Sequence, residues 1–540
     1  MKWKKLLNLL NMNEKRFCLS LILLLSCLVG FTQVPEPTIQ SMRGFGGSGT
    51  DRFFPYYTTC TNGDLILNFY TNSYSGEGDI DLLCSDSFIR NVFVKIDRNG
   101  QDILWSKCFD NTGDSIAFKY YPNATGAIIV GEFIASSGWG LFIQQRDSSG
   151  AILWQHNYSK GQNVILRDVL ATKDGGFVFL SESSYTDTNV LTHYGSWTNA
   201  DLWVLKVDSL GNKAWSRVIG GTDEDDGGML ATAPNGGVYV LGVTSSVDHE
   251  CTGNHGLADV LLVRLDSLGN IIWHHDFGGT GYDGASYGIS CVADGNGGVL
   301  TAVVAGSKDG DISDRSFSDW NFWVMDVDSS GTKRWDKSYG GGGYEEPFCI
   351  CKASDGTIWI GGTSSRAGGM VNNYYGSSRP STDGWVVHAD SVGNLLGAKV
   401  LGSSGSDKIW LVAPLAEKNV LVAGYYDHND GTFTSLSDYD GTTNLDGFIS
   451  KFFPWTTNTE NVKHEESKVY PNPIENGYLK IESPIDLNAK IFGFDGLLLG
   501  EYSIQAGQKN TLDLAQYPQG IYMLVLISAN GAECKQIQII

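Results

Sequence analysis

One phrase recurs along this chain: a short apolar strand, then Asp-x-x-Gly, then Trp. It reads Asp147-Ser-Ser-Gly150 with Trp154, Asp208-Ser-Leu-Gly211 with Trp215, Asp266-Ser-Leu-Gly269 with Trp273, and Asp328-Ser-Ser-Gly331 with Trp335. An earlier copy, Asp97-Arg-Asn-Gly100 with Trp105, carries one extra residue, and a later one, Asp390-Ser-Val-Gly393, has Gly397 where the Trp would stand. Copies fall roughly 60 residues apart, and self-similarity at a fixed period marks a repeat architecture.

A single repeat has a physical reading. Residues 202–207 form a strand, and Asp208 to Gly211 a tight turn in which the carboxylate accepts backbone N–H groups and the Gly takes a positive φ. Trp215 opens a second strand that runs into Gly220-Gly221, a third lies near 228–232, and Asn235-Gly-Gly237 turns into a fourth at 238–243. Such a four-stranded sheet cannot cover both of its faces, so it must stack on its neighbours. Radial stacking gives a β-propeller, whose gaps between blades are filled by large apolar residues such as the recurring Trp.

The strand before each turn recurs at 92–96, 141–145, 202–207, 260–265, 322–327, 385–389 and 448–452, which makes seven units. The seventh stops at Phe452 without its Trp strand, and residues 38–44 supply the missing piece at the other end of the chain. The predicted fold is therefore all-β: a seven-bladed β-propeller over 34–453, closed by an N-terminal strand and followed by a small C-terminal β-sandwich. Closure also removes the exposed edges that a linear array would leave.

Composition narrows the partners. Lys plus Arg number 38 against 60 Asp plus Glu, a net charge of −22, which disfavours nucleic acid and anionic membranes and also serves solubility. Residues 1–33 read as a signal peptide, with a basic Met12-Asn-Glu-Lys-Arg16 and an apolar stretch at 19–29 too short to span a bilayer; translation starting at Met12 would keep both. No later segment is long and apolar enough to span a membrane. Of 10 cysteines, all but Cys18 and Cys27 follow the signal, and none forms a CxxC pair or a Cys/His cluster with zinc spacing.

After a polar linker at 454–467 comes a second module at 468–540. It contains Tyr470-Pro471-Asn472-Pro473, Gly493-Phe-Asp-Gly496, a run from Leu512-Asp-Leu to Gly520-Ile-Tyr522, and a final strand opened by Lys535. These motifs, in this order, resemble the type A C-terminal sorting domain of the Bacteroidetes type IX secretion system. The resemblance implies Sec export to the periplasm, passage across the outer membrane by the type IX machinery, and an extracellular or outer-membrane surface location. Gln536 and Gln538 stand where such domains often carry more Lys. The repeats resemble the secreted propeller arrays often fused to these domains. Asp-x-x-Gly-x-x-x-Trp also resembles the tryptophan-docking turn of quinoprotein dehydrogenases, a likeness we read as shared turn architecture because the chain has seven units and no adjacent cysteines.

Catalytic motifs do not survive their context. Gly284-Ala-Ser286-Tyr-Gly288 matches a nucleophile elbow but has no helix after it. Gly44-Phe-Gly46-Gly-Ser-Gly49 matches a dinucleotide loop but lacks a βαβ unit. His274 and His275, adjacent in a strand, point to opposite faces, and His249 and His255 form a loose loop cluster with Cys251 and Asp248. Function is expected in the long loops joining the second and third strands of each blade, which share one face of a rigid scaffold. Tyr185, Tyr194, Trp197, Tyr374, Tyr375 and Tyr426 offer rings to stack on sugars. Asp309, Asp311 and Asp314, close together in one loop, are the candidate calcium ligands. The sequence reads as a binding or structural module for glycan, protein or peptide, with a secreted lyase or glycosidase as the alternative.

Overall fold

The computed structural model describes residues 36–46, 49–72, 90–109, 115–135, 138–158, 164–186, 189–190, 192–285, 288–314, 320–376, 381–436, 445–453, 468–474, 476–492, 498–528 and 531–540. The expected signal peptide, the linker at 454–467, the loop at 73–86, Ser286 and the Gly493 to Gly496 turn lie outside them. The chain divides into two compact units, Gln33–Trp455 and a second that contains Thr456–Ile540.

Among the described residues the first unit holds seven four-stranded antiparallel sheets, a propeller-like arrangement. We number the sheets by their first strands: Asp51–Thr59, Ser115–Asn123, Val164–Ala171, Asp225–Thr232, Ile289–Ala293, Glu345–Lys352 and Lys408–Pro414. Sheet 3 shows the pattern, running Val164–Ala171, Phe177–Ser183, Asp201–Val207, Lys213–Ile219. Its two middle strands are buried at every position, whereas Lys213–Ile219 keeps a half-exposed face. Covered on both sides, middle strands read as unbroken apolar runs.

The first strands converge. Tyr57 of sheet 1 sits near Asp168 of sheet 3 and the Cys349 and Cys351 thiols of sheet 6, and burial holds its hydroxyl protonated. Lys119 of sheet 2 reaches across 2.7 Å to Asp168. Sheet 7 draws on both ends of the unit: Thr38–Phe45 pairs antiparallel with Asp446–Phe453. Phe45 then meets Phe53 of sheet 1 edge-on at 5.6 Å, and Phe53 lies 4.7 Å from Phe69.

The repeated phrase works between sheets. Asp208 Oδ1 accepts the amides of Leu210 (2.9 Å) and Asn212 (2.8 Å), and Gly211 closes the turn at φ +81°. Trp154, Trp215, Trp273 and Trp335 lie under the glycine of the following copy: a Cβ on Gly269 would come within 2.7 Å of Trp215, and one on Gly393 within 2.7 Å of Trp335. Trp215 Nε1 donates to the Ser267 carbonyl (3.1 Å) and Trp273 Nε1 to that of Ser329 (3.0 Å). Sheet 7 has no such turn, because its third and fourth strands come from opposite ends of the unit; Gly397 stands where a Trp would have nothing to dock on. At Gly100, the first turn, Leu415 of sheet 7 fills the docking place. Nothing lies within 4 Å of a Cβ on Gly150, and Trp105 instead meets Tyr120 at 5.6 Å.

Cys251, Cys291, Cys349 and Cys351 are buried thiols, and Cys60 is a half-buried one. Cys108 is disulfide-bonded.

The second unit has a three-stranded sheet, Lys468–Tyr470, Tyr478–Glu482, Lys509–Asp513, and a four-stranded one, Leu498–Ile504, Leu487–Phe492, Gly520–Ser528, Gly531–Ile539. Both contribute to a core that includes Leu479, Ile491, Leu524 and Ile537. Residues Pro471 to Ile474 are zipped to the last strand: Asn472 Oδ1 accepts the Gln538 amide (2.9 Å), and the Ile474 amide donates to the Gln538 carbonyl (2.7 Å). Tyr522 is buried and donates to the Pro518 carbonyl (2.6 Å), Gly520 pairs with Ile539, and Lys535 pairs with Leu524 in the last hairpin.

Candidate functional site

Strand direction sorts the connections. Tight turns join first to second strands and, in sheets 1 to 6, third to fourth strands at one end of each sheet. The connections between second and third strands, long in every sheet but sheet 2, and the Gly-rich links to the next sheet emerge at the other. Carboxylates tie that second end together. Asp225 Oδ2 accepts the Gly221 amide (2.6 Å), and Asp283 Oδ2 that of Gly279 (2.7 Å). One residue further on, Asp248 binds the amide and hydroxyl of Thr222 (2.8 and 3.0 Å), and Asp309 binds those of Thr280 (2.8 and 2.8 Å). Asp430 accepts the Ser404 amide in the same way (2.7 Å). The third strands open with buried Asp201, Asp259, Asn321 and Asp383. Burial raises the Asp201 and Asp383 pKa values to about 7 each, and that of Asp407, at the head of sheet 7, to about 7.

This network takes in the residues of the calcium reading. Both Asp309 oxygens are engaged by Thr280, Asp311 Oδ2 accepts the Gly278 amide (3.3 Å), and the Asp314 carbonyl accepts the Ser338 hydroxyl (2.9 Å). The Asp309 and Asp311 carboxylates serve as separate tethers, and Asp314 accepts through its backbone carbonyl. Among the described residues no group of three His, Cys, Asp or Glu is placed to hold a metal ion.

The loop aromatics divide. Trp197 is 78% exposed and Tyr185 54%, so both rings are open to a ligand, and Tyr375 is exposed as well. Tyr374 is half-buried and donates to the Ser381 carbonyl (2.7 Å), while Tyr194 stacks on His249 at 4.1 Å. Tyr426 is a core residue: it is 1% exposed and stacked on Phe433 at 4.8 Å, because it ends a strand whose seven positions are all buried.

A cavity of about 320 Å³ opens beside sheet 4, lined by Thr252, Gly253, His255, His274, His275, Asp276, Phe277 and Asp311. Both strand histidines reach it despite facing opposite ways. Burial raises the Asp276 pKa to about 6, while the Gly253 amide, 2.7 Å away, favours the carboxylate. Burial opposes charge on His255, but the Asp259 carboxylate 2.8 Å from Nδ1 wins and raises its pKa.

The residues that sequence reasoning missed lie near the convergence of the first strands. In six sheets the pairing of first and second strands slips at one place: between Phe53 and Tyr57, Ala117 and Lys119, Leu166 and Asp168, Asp226 and Met229, Pro347 and Cys349, and Ile409 and Leu411. A bulge bends the strand and re-aims a side chain. The bulged residues differ from sheet to sheet: Phe54 to Tyr56, Phe118, Arg167, Gly227-Gly228, Phe348 and Trp410. They form one neighbourhood. Tyr56 lies 4.9 Å from Phe118 and donates to the Arg167 carbonyl (3.2 Å), and Phe348 lies 4.3 Å from Trp410. Arg167 Nη2 binds Glu182 at 2.8 Å. Nearby Glu132 is pushed up to about 7 by burial, against the pull of the Leu166 amide and Arg167. The only sequence signal was negative, since these are the positions where the repeats stop resembling one another.

Residues 468–540 match the family described as the secretion system C-terminal sorting domain. The match supports reading the tail as a sorting domain. Such a domain implies handling by the type IX secretion machinery and export to the cell surface or extracellular space. Among the described residues no helix is long and apolar enough to cross a membrane. No curated protein matches the chain. Solved structures align along much of it at low similarity. A PQQ-bound aldose sugar dehydrogenase from Streptomyces coelicolor is 12% identical, with 77% of this chain and 99% of that one covered and a TM-score of 0.32. A variant Synechocystis apocarotenoid oxygenase is 12% identical, covering 69% and 95%, at 0.33. A neuraminidase-like protein of A/little yellow-shouldered bat/Guatemala is 10% identical, covering 77% and 99%, at 0.32. At such TM-scores these likenesses carry no argument about function.

Proposed function

We propose that the protein is a secreted or surface-displayed binding module of Bacteroidetes: a signal peptide at 1–33, a closed seven-bladed β-propeller at 34–453, a linker at 454–467 and a type IX sorting domain at 468–540. Closure is supported by the pairing of Thr38–Phe45 with Asp446–Phe453 and by a core shared between sheets 1 and 7. The observation that carries the binding reading is where the copies diverge. Turns and docking Trp residues repeat almost unchanged, whereas the bulged residues and the long loops with exposed Trp197, Tyr185 and Tyr375 differ from copy to copy. A rigid scaffold with variable groups collected at one end suits recognition. Glycan, protein and peptide are the ligand classes such a face accommodates.

A second reading, a lyase or glycosidase, rests on Glu132, whose pKa near 7 suits a general acid or base and which Glu182 neighbours. Presenting the intact chain with a glycan and polysaccharide array, scored for capture and for product release, tests both. Capture without release that weakens on Trp197→Ala supports the module; polymer cleavage lost in Glu132→Gln overturns it.

A further inference from the structure

Near the convergence of the first strands, two cations stand without a salt bridge among the described residues, in a chain of net charge −22. Arg52 is the second residue of its first strand, in sheet 1, and Lys408 opens that of sheet 7; each strand begins at the loop end. The Arg52 guanidinium lies 5.4 Å from the Phe54 ring and 4.9 Å from that of Tyr70. Lys408 Nζ lies 5.0 Å from the Phe348 ring and 5.4 Å from that of Trp410. Neither makes an ion pair among the described residues, although the salt bridges at Lys119, Arg167 and Lys206 show that this chain readily supplies carboxylates to half-buried cations.

The two charges feel each other. Burial lowers the Lys408 pKa, Glu346 works against that, and Arg52 lowers it further. Glu346 is an acid close to Lys408, its own pKa raised by burial, and Tyr425 stands beside Arg52 with its pKa raised to about 12 by burial. Two donors are also unmatched: Arg52 Nε and Trp410 Nε1 are buried with no hydrogen-bond partner. Buried polar atoms are nearly always satisfied, so unmatched donors beside two repelling cations describe a place built for acceptors. The surrounding surface is aromatic, which suits the C–H face of a sugar ring better than a bare inorganic anion.

We propose that Arg52, Lys408 and Trp410 form a subsite for a carboxylated sugar unit, the carboxylate held by the two cations and the ring lying against Trp410. This inference rests on the binding reading above and supplies its ligand class. No covalent step is involved.

The test is calorimetric titration of the intact chain with a panel of uronate oligosaccharides, their methyl esters and their neutral counterparts, with free acetate as the small-carboxylate control. Binding of at least one uronate oligomer is expected, at least about tenfold tighter than its ester, weaker at high salt, and without comparable affinity for acetate. Lys408→Met and Arg52→Gln each weaken it by at least about tenfold, and Lys408→Arg restores most of it. Thermal unfolding of each variant separates lost binding from lost folding. Should ester and acid bind alike, or both charge variants bind as the parent does while remaining folded, the subsite is refuted. It is equally refuted if no uronate oligomer binds below millimolar Kd. Capture of a neutral glycan or a protein in that case leaves the binding-module reading standing.

Discussion

The four successive junctions from sheet 2 to sheet 6 and the junction between sheets 7 and 1 solve one problem differently. In the former a Trp on the fourth strand slides under the Asp-x-x-Gly turn of the next sheet, and glycine is required there twice, for its positive φ and for the ring beneath it. In the latter the last sheet has no such turn, and its fourth strand, Thr38–Phe45, brings no Trp to the Gly100 turn of the first. Backbone pairing of Thr38–Phe45 and the Phe45, Phe53, Phe69 cluster take over. The docking phrase is thus a clamp between sheets adjacent in sequence, and the meeting of the two chain ends depends on long-range pairing instead.

The comparison can be broken at several points, in descending order of effect. Deleting 34–45 strips the edge from Asp446–Phe453 and removes Phe45; we expect loss of cooperative unfolding and aggregation, checked by calorimetry and light scattering. Phe45→Ala, at a position 1% exposed, should cost about 3–5 kcal/mol in denaturant titration. Trp215→Ala, which removes a half-buried ring and its bond to Ser267, should cost about 2 kcal/mol, whereas Gly397→Trp should gain nothing. Gly269→Ala meets both strain and Trp215 and should cost more than Gly150→Ala, which meets strain alone at about 1 kcal/mol. Equal costs would mean that the ring does not constrain the turn.

The smallest effect is on pH dependence. Asp383 binds its proton more tightly folded than unfolded, so the folded chain holds extra protons between pH 4 and 7. Stability from this group is therefore full below its ordinary carboxylate pKa and lost as pH rises through about 7. Asp383→Asn copies what Asn321 does in sheet 5 and should flatten that window by about 1 kcal/mol, read as Tm against pH. Asp208 behaves oppositely: the bonds from Asn212 lower its pKa, so its contribution is present above the ordinary carboxylate range and lost in acid.

Much of the scaffold was legible because it repeats. Asp208, Gly211 and Trp215 announce a strand, a turn and a strand by local chemistry alone, and Tyr470 to Pro473 announces the tail. The candidate site was not legible for the complementary reason. Tyr426 and Trp197 look alike in sequence, but one ends a strand covered on both faces and the other sits at a loop tip. Asp309 reads as a metal ligand by residue type, and only the fold shows Thr280, distant in sequence, bound to both of its oxygens.

What the sequence determined by itself is the repeating unit: period, turn and docking ring are set by residues within one copy and its neighbour. Only the tertiary structure decided what the copies jointly surround. A β-bulge depends on how two strands align, and the company of Arg52 and Lys408 depends on where sheets 1 and 7 meet. Those two residues are 356 positions apart in the chain (408 − 52). Their proximity comes from the pairing of the chain's two ends; the repeat count points to that pairing, but only the fold shows which side chains it brings together.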